Sequence, residues 1–471
     1  MDTPYSLLLS STNTSALDEA LESLLKSSKT STTRSEIDTL IPLLLQLTES
    51  LSNTASSTRP LLISTIQVIR NLCAGEMVNQ NSFIKQNWVE IFAASLDFER
   101  NSDYGVLRIW LQLLGNVCLA GVDHQRVVWG LLFPNLFSEI TKVPSSEICD
   151  PLCMILYTCC NGNSMRVGEL CGAEGLPIIA EIVTTASTAG FGEEWFKWLI
   201  AEICFKDSNF QVLFNKLKSD SKDTHFTAEQ AFVLGVLSEI LNQQLDQVFV
   251  PNDFVLCVFG ILKAAIEVVD FFLRGKSGLP TGSPAIDVVG FSITILRDIC
   301  AQDGKIVTKF EVSTDVVDSL MSAGFLDLLL DMLRDLEPPE LIRKSISQGA
   351  DQERPSTSYL LKVCPYKGFR RDIVAVLANC MYHRRHVQDE IRKKNGIILL
   401  LQQCVVDEDN PFLREWGLWS VRNLLEGNEE NQQEVTELRL QGSVNVPELS
   451  RLGLRVEVDQ RTQRPKLVND S

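Results

Sequence analysis

The side chains that could do chemistry in this 471-residue chain fall into four groups. Cys149-x-x-x-Cys153 and the adjacent Cys159-Cys160 form a thiol cluster, and Cys380-x-x-His383-x-x-His386 sets metal-ligating residue types at helical spacing. Gly275-Lys276-Ser277 has the look of a phosphate-binding loop. Glu193-Glu194 and Glu429-Glu430 bring carboxylates together, the raw material of acid–base catalysis. Trp198-x-x-x-Glu202 and Trp419-x-x-x-Asn423 set an indole one helical turn from a polar group, an arrangement suited to gripping a polypeptide.

Spacing removes most of the catalytic readings. A phosphate-binding loop needs an earlier Gly separated from Gly275 by four residues, and position 270 is Asp within a helical pattern. Adjacent carboxylates on a helix point about 100° apart, so the Glu pairs are solvated faces. Arg384 and Arg385 lie between His383 and His386 and oppose a bound cation. No nucleophile elbow, dinucleotide fingerprint or His-Glu-x-x-His is present. The expectation is no enzyme, no metal and no cofactor.

The elements that would position the remaining candidates emerge from self-similarity. Ile69-Arg70-Asn71-Leu72-Cys73-Ala74-Gly75 is echoed by Leu114-Gly115-Asn116-Val117-Cys118, and more weakly around Thr158, Glu202, Glu239, Asp298, Asn379 and Asn423. Cys stands two residues after five of these eight anchors (Cys73, Cys118, Cys160, Cys204, Cys300), where a small buried apolar residue packs well. Gln stands nine residues after five of them (Gln80, Gln125, Gln211, Gln388, Gln432). Leu62, Ile66, Ile69 and Cys73 trace a helix stripe before the first anchor, and Gly75, Gly162 and Gly427 lie where such helices can stop. A helical period near 40 to 47 residues is the armadillo or HEAT signature, so the predicted fold is an all-α, armadillo-like α-solenoid.

Irregular steps between anchors mark insertions. Residues 275–285 read as a loop and 338–368 as a polar linker, so the predicted segments are 1–36, Ser/Thr-rich with a capping helix; 37–337, a repeat array; 338–368; 369–440, two final repeats; and 441–471, a tail with an extended stretch Leu454–Val458. The Ser/Thr-rich stretches 10–36 and 48–60 read as loops flanking that helix, with Ser283-Pro284 the one candidate phosphorylation switch.

Composition narrows the class. Forty-three Lys and Arg against 60 Asp and Glu leave a net charge of −17, the wrong sign for a general nucleic-acid binder or for docking on an anionic leaflet. The first 35 residues lack the apolar core of a secretory signal, and Lys263, Glu267 and Asp270 interrupt the longest apolar stretch, Val255 to Leu273. Thirteen Cys without an export signal imply thiols in a reducing compartment, and hence a cytoplasmic protein with nuclear access open.

The last two repeats carry a more specific pattern: Phe369-Arg370-Arg371-Asp372, Ala378-Asn379-Cys380, Asn395-Gly396-Ile397, then Asn410-Pro411-Phe412-Leu413-Arg414-Glu415-Trp416-Gly417 and Arg422-Asn423-Leu424-Leu425-Glu426-Gly427-Asn428 through Gln432. This resembles the C-terminal domain of the ataxin-10 family over roughly 365–440 and on to about 468. The resemblance implies a cytoplasmic, non-catalytic armadillo-like protein that acts in cell division, survival and growth signalling by binding other proteins. Within the motif, Asn410 and Pro411 are expected to open a helix, with Phe412 and Trp416 packed inside. The Trp419/Asn423 pair resembles the one that peptide-binding armadillo grooves use, where Asn holds a ligand's backbone and Trp packs its side chain.

The expected partner-binding residues are therefore Asn71, Asn116, Glu202, Glu239, Asp298, Asn379, Trp419 and Asn423. With amides at both ends and carboxylates in the middle, they would form a groove biased toward extended or Lys/Arg-rich protein segments. The acids read equally well as helix caps or solvated groups. A transport adaptor for basic peptides is the alternative function, disfavoured because only one Trp/Asn pair is complete; homo-oligomers are open, since exposed Trp and Phe often pair.

Overall fold

Apolar stripes at helical spacing, punctuated by helix-stopping residues, dictate a chain of short helices. The computed structural model describes residues 14–29, 40–53, 58–96, 104–190, 192–205, 209–219, 225–244, 248–302, 315–343 and 361–438, and the backbone of 454–458 and 465–469. The polar core of the expected linker (Asp351 to Ser358) lies outside these residues.

The chain divides into two compact units, residues 1–268 with 282–295 and residues 269–281 with 296–471. The division therefore falls away from the polar segment 338–368, because the loop 269–281 pairs with the later residues. In the first unit, α1 (Thr14–Ser27), α2 (Ile41–Ser52) and α3 (Arg59–Cys73) precede three triplets of helices, the first two made of two shorter helices and one long one. These are α4 (Met77–Ile84), α5 (Trp88–Ser95), α6 (Tyr104–Cys118); α7 (Val122–Leu132), α8 (Asn135–Thr141), α9 (Ser146–Cys160); and α10 (Ser164–Cys171), α11 (Leu176–Ala189), α12 (Glu194–Cys204). Then α13 (Asn209–Lys216), α14 (Ala228–Gln244), α15 (Asn252–Val268) and the start of α16 (Pro284–Cys300) follow. The second unit holds α17 (Val316–Ser322), α18 (Phe325–Asp335), α19 (Phe369–Met381), α20 (Arg385–Lys393), α21 (Gly396–Leu401), α22 (Leu413–Leu425) and α23 (Glu429–Glu437). Backbone pairing joins β1 (Leu454–Val458) antiparallel to β2 (Pro465–Asn469), with Val456 opposite Leu467.

Every expected anchor lies on the last helix of its repeat, and α3, α6, α9, α12 and α14 each pack on the next, as α19 does on α22. A helix sandwiched between two others must be apolar over most of its surface. So α6 buries Val106, Leu107, Trp110, Leu111, Leu114 and Val117, and Gly115 leaves room for Met154 of α9, whose sulfur would stand 2.9 Å from an added Cβ. By contrast α18 buries Phe325, Leu326, Leu329, Leu330 and Leu333 on one side and shows Asp327, Asp331 and Arg334 on the other. The armadillo-like α-solenoid follows from this succession of helix triplets and stacked long helices.

The second unit corrects the expected linker. Cys364, Pro365 and Tyr366 are core: Tyr366 is fully buried against Phe369 (5.3 Å between ring centroids), which also meets Phe271 at 5.8 Å. Gly275 N–H donates to Cys364 O at 3.0 Å, and a Cβ at Gly275 would lie 1.9 Å from Pro365 O. The glycine of the false phosphate loop is there to let two backbones touch.

Candidate functional site

The recurring Asn and Gln turn out to be the hydrogen-bonding hardware of the stack. Asn116 Nδ2 donates to Arg70 O (3.1 Å), Asn379 Nδ2 to Arg297 O (2.9 Å) and Asn423 Nδ2 to Ala378 O (2.9 Å). In each case the acceptor is the residue just before the preceding repeat's anchor. Asn71 begins the series by donating to Ser28 Oγ at 3.1 Å, while its carbonyl accepts from Arg70. The Gln side chains close the helix ends. Gln80 Nε2 reaches Cys73 O (2.8 Å) and Asn116 O (2.9 Å), and Gln388 Nε2 reaches Asn423 O at 2.8 Å and Met381 O at 3.4 Å. Gln125 and Gln432 bond Cys118 O and Leu425 O, seven residues back, satisfying carbonyls that a helix end leaves open. Gln211, exposed as Gln432 is, lines a groove with Phe226 and Leu256.

One register was misread by a residue. Arg166 stands in for Gln in the third repeat and donates to Cys159 O at 2.9 Å, the same seven-residue bond, which puts Tyr157 rather than Thr158 at the ladder position. Helices stop at Gly75, Gly162 and Gly427 with φ of 76°, 73° and 67°, and His383 takes the equivalent place at 52°. That position explains His383 without a metal. His386 pairs with Asp318 at 2.8 Å, and among the described residues no three His, Cys, Asp or Glu are grouped to hold a metal ion. The five anchor-linked cysteines are all buried, and burial pushes the Cys73, Cys160 and Cys204 thiols far up.

The amide NH2 groups of Asn71, Asn116, Asn379 and Asn423 are consequently engaged within the stack. Asn423 is 1% exposed with its NH2 committed to Ala378, so it does not act with Trp419 as a gripping pair. Trp419 is exposed, with the Arg422 guanidinium 4.6 Å from its ring centroid. Two motif residues are reversed as well. Phe412, expected inside, is exposed at φ 66°, while Trp416 is half-buried. Asn410 caps α19 rather than its own helix: its Oδ1 accepts from Arg370 N–H at 2.9 Å across 40 residues of sequence. Phe412, Leu418 and Trp419 leave an exposed apolar edge at α22.

Of the acids, Asp298 is nearly covered and held by Arg297 Nε at 2.7 Å. Glu239 is exposed and pairs with Lys197 Nζ at 2.7 Å. Glu202 is the anchor that opens into a concavity. A groove of about 390 Å³ is lined by Tyr157, Trp198, Ala201, Glu202, Phe205 and Phe249, with Gln244 and Val248 at its side. Tyr157 and Trp198 rings meet at 5.6 Å, and Trp195 abuts Trp198 edge-on at 4.9 Å. Trp198 and Phe249 remain exposed. Sequence spacing singles out Trp198 and Glu202; Tyr157 was hidden by the slipped register, and Phe249 carries no periodic signal.

Comparison with known proteins agrees with the C-terminal motif. Residues 369–467 match the family model described as spinocerebellar ataxia type 10 protein domain. Ataxin-10 of Homo sapiens is 26% identical over 415 residues, covering 86% of this chain and 81% of its own length, and ataxin-10 of Bos taurus is 25% identical over 415 residues. The ataxin-10 homolog of Dictyostelium discoideum reaches 42% over 94 residues, or 20% of this chain and 15% of its own. A solved structure described as "A conserved phosphorylation switch controls the interaction between cadherin and beta-catenin in vitro and in vivo" aligns over 90% of this chain and 75% of its own, at 14% identity and a TM-score of 0.37, a level that carries no argument. The chain is thus similar to ataxin-10 proteins over most of its length, and its residues 369–467 carry the domain that the family model describes.

Proposed function

We propose that this protein is a non-catalytic interaction scaffold or regulator that holds extended or basic segments of other proteins on its anchor helices. By family likeness it acts in the cytoplasm, in cell division and in growth and survival signalling. The observation that carries the reading is the open groove at α9 and α12, where exposed aromatic rings surround a carboxylate while the recurring amides are spent on holding repeats together. Aromatic side chains in a concave, partly desolvated setting are typical anchors for a partner. Among the described residues no helix is long and apolar enough to cross a membrane. The transport-adaptor alternative loses support with Asn423 buried and Trp419 covered by its own Arg422.

The test is capture of partners by the full chain and by a Glu202→Lys/Glu239→Lys double variant. Asp298 is left intact because it is nearly covered. Loss of captured proteins with unchanged helical circular dichroism is expected. An identical captured set would end the groove reading, and a normal count of binucleate cells after depletion would end the link to division.

A further inference from the structure

Much of the longest apolar stretch of the sequence, Val255 to Leu273, lies in α15, and only one side of that helix is covered. Phe254, Val255, Val258, Phe259, Leu262 and Ala265 are buried. Leu256, Gly260 and Ala264, one turn apart on another side, are exposed, and Cys257 and Ile261 beside them are half-buried. A helix that is apolar all round belongs inside a stack, where neighbours cover both faces. The open side of α15 instead lines a groove of about 640 Å³, within the size range of binding sites, together with Phe214 of α13 and Phe226.

The repeat at this point is short of an element. The three preceding triplets carry α5, α8 and α11 as second helices, and α11 packs on α8, α13 and α14. From α13 the chain reaches α14 through residues 217–227 alone, and the ends of this connection are tied directly together. Thr227 Oγ1 donates to Leu217 O at 2.9 Å, and Gln230 Nε2 donates to Phe214 O at 2.8 Å. The stretch Ser219-Asp220-Ser221-Lys222-Asp223-Thr224-His225 between them holds no hydrophobic residue with which to cover α15. The polar rim of the groove is unspent as well. Gln80, Gln125, Gln388 and Gln432 bond helix-end carbonyls, whereas the side chain of Gln211, at the same repeat position, has no hydrogen bond among the described residues. Lys218, His225 and Glu267 also line the groove, and among the described residues their side chains have no ion pair, which leaves two basic groups facing one acid.

We infer that the groove between α13 and α15 is a docking site for a short amphipathic helix of a partner protein. Its apolar face would seat on Leu256, Gly260 and Ala264 between Phe214 and Phe226, with acidic residues of its polar face meeting Lys218 and His225. A helix is the occupant because a helix is what the preceding repeats carry at this step. Gly260 has no atom within 4 Å of an added Cβ, so a large apolar side chain can approach its backbone. This assignment rests on the interaction role proposed above, but not on the groove beside α12.

The experiment uses the full chain and three fluorescein-labelled peptides of about 15 residues, long enough to hold a helix on contact. One has leucines on one face and glutamates on the other, the second has lysines in place of the glutamates, and the third has the acidic composition with its leucines scattered. Anisotropy is expected to show the acidic amphipathic helix binding more tightly than the lysine helix, and the scattered peptide not at all. Gly260→Leu fills the groove from its own wall, and because glycine is poor inside a helix the melting temperature is expected to hold or rise. This variant is expected to weaken the acidic helix at least about tenfold, the scale of one lost anchor. Lys218→Glu is expected to reverse the preference between the two charged helices. No binding of the acidic helix to the parent chain, or unchanged binding to Gly260→Leu, overturns the docking site, and an unreversed preference in Lys218→Glu overturns the acidic partner. The Glu202→Lys/Glu239→Lys variant is expected to bind the helix as the parent does, so that the scaffold reading and this site fail separately; loss of the helix in that variant, with Gly260→Leu unaffected, would move the contact to α12 and end the assignment.

Discussion

Glutamine 388 shows how much a single amide does in this protein. It is 2% exposed, and its Nε2 serves Asn423 O and Met381 O while its Oε1 accepts from Asn428 Nδ2 at 3.2 Å. Gln388→Ala strands these buried polar groups, which costs about 1–3 kcal/mol for each group left without a partner. A lowered urea midpoint with an unchanged denaturant slope is the expected result. Gln211→Ala, at the same repeat position but exposed, is expected to change stability by no more than about 0.5 kcal/mol. Equal losses in the two variants would mean that the latch is not what holds the repeats. The same chemistry explains why the amides recur: backbone carbonyls at helix ends demand donors wherever they are buried.

Helix ends are where neighbouring elements are pinned. Asp315 caps α17 by accepting from Val317 N–H at 3.0 Å, and its other oxygen takes the Arg384 Nε–H at 2.6 Å. Arg384 also reaches Gln302 O and Asn379 O, so one ion pair ties the ends of α16, α17 and α19. Burial alone would push the Asp315 carboxyl up, but the Arg384 and Val317 hydrogen bonds and the nearby positive charges hold it below its ordinary value of 3.8. A depressed folded-state value means that this contribution is fully present above the unfolded value and is lost as pH falls through the folded one. Asp315→Asn should therefore lower the melting temperature at pH 7, with the gap from the parent shrinking below about pH 4. A gap that stays constant down to pH 3 would show that the charge contributes nothing.

At the scale of the molecule, the family-matching segment is not a unit that stands alone. The second unit draws residues 269–281 and 296 onward into one body with 369–438, and Phe271, Tyr366 and Phe369 share its core. Arg274 pairs with both Glu337 and Asp409, and Arg370 donates to Glu337 O, so charged groups bind the same pieces. A fragment 369–471 would uncover the apolar side of α19, which is buried over almost its whole surface. Such a fragment is expected to lack a cooperative thermal transition, measured by circular dichroism against the full chain. A sharp transition in the fragment would show that the C-terminal repeats carry a sufficient core of their own.

The repeat period, the anchors, the helix-stopping glycines and the family of the C-terminal segment could all be read from residue types and spacing, because stacked helices impose a local and periodic demand on the chain. What an amide at a given anchor does could not be read there. Asn423 next to Trp419 has the spacing of a peptide grip, yet its NH2 is claimed by Ala378 O from a residue 45 positions away. Asn410 has the look of a cap for the helix after it and instead caps α19. Phe412 fits an apolar stripe and lies outside, because its backbone turns left-handed before α22 begins. Glu202, an anchor acid, lines one groove with Tyr157 and Phe249, neither near it in sequence. Periodicity records which positions meet a neighbouring helix; only the folded stack decides which carbonyl, ring or solvent each side chain finds there.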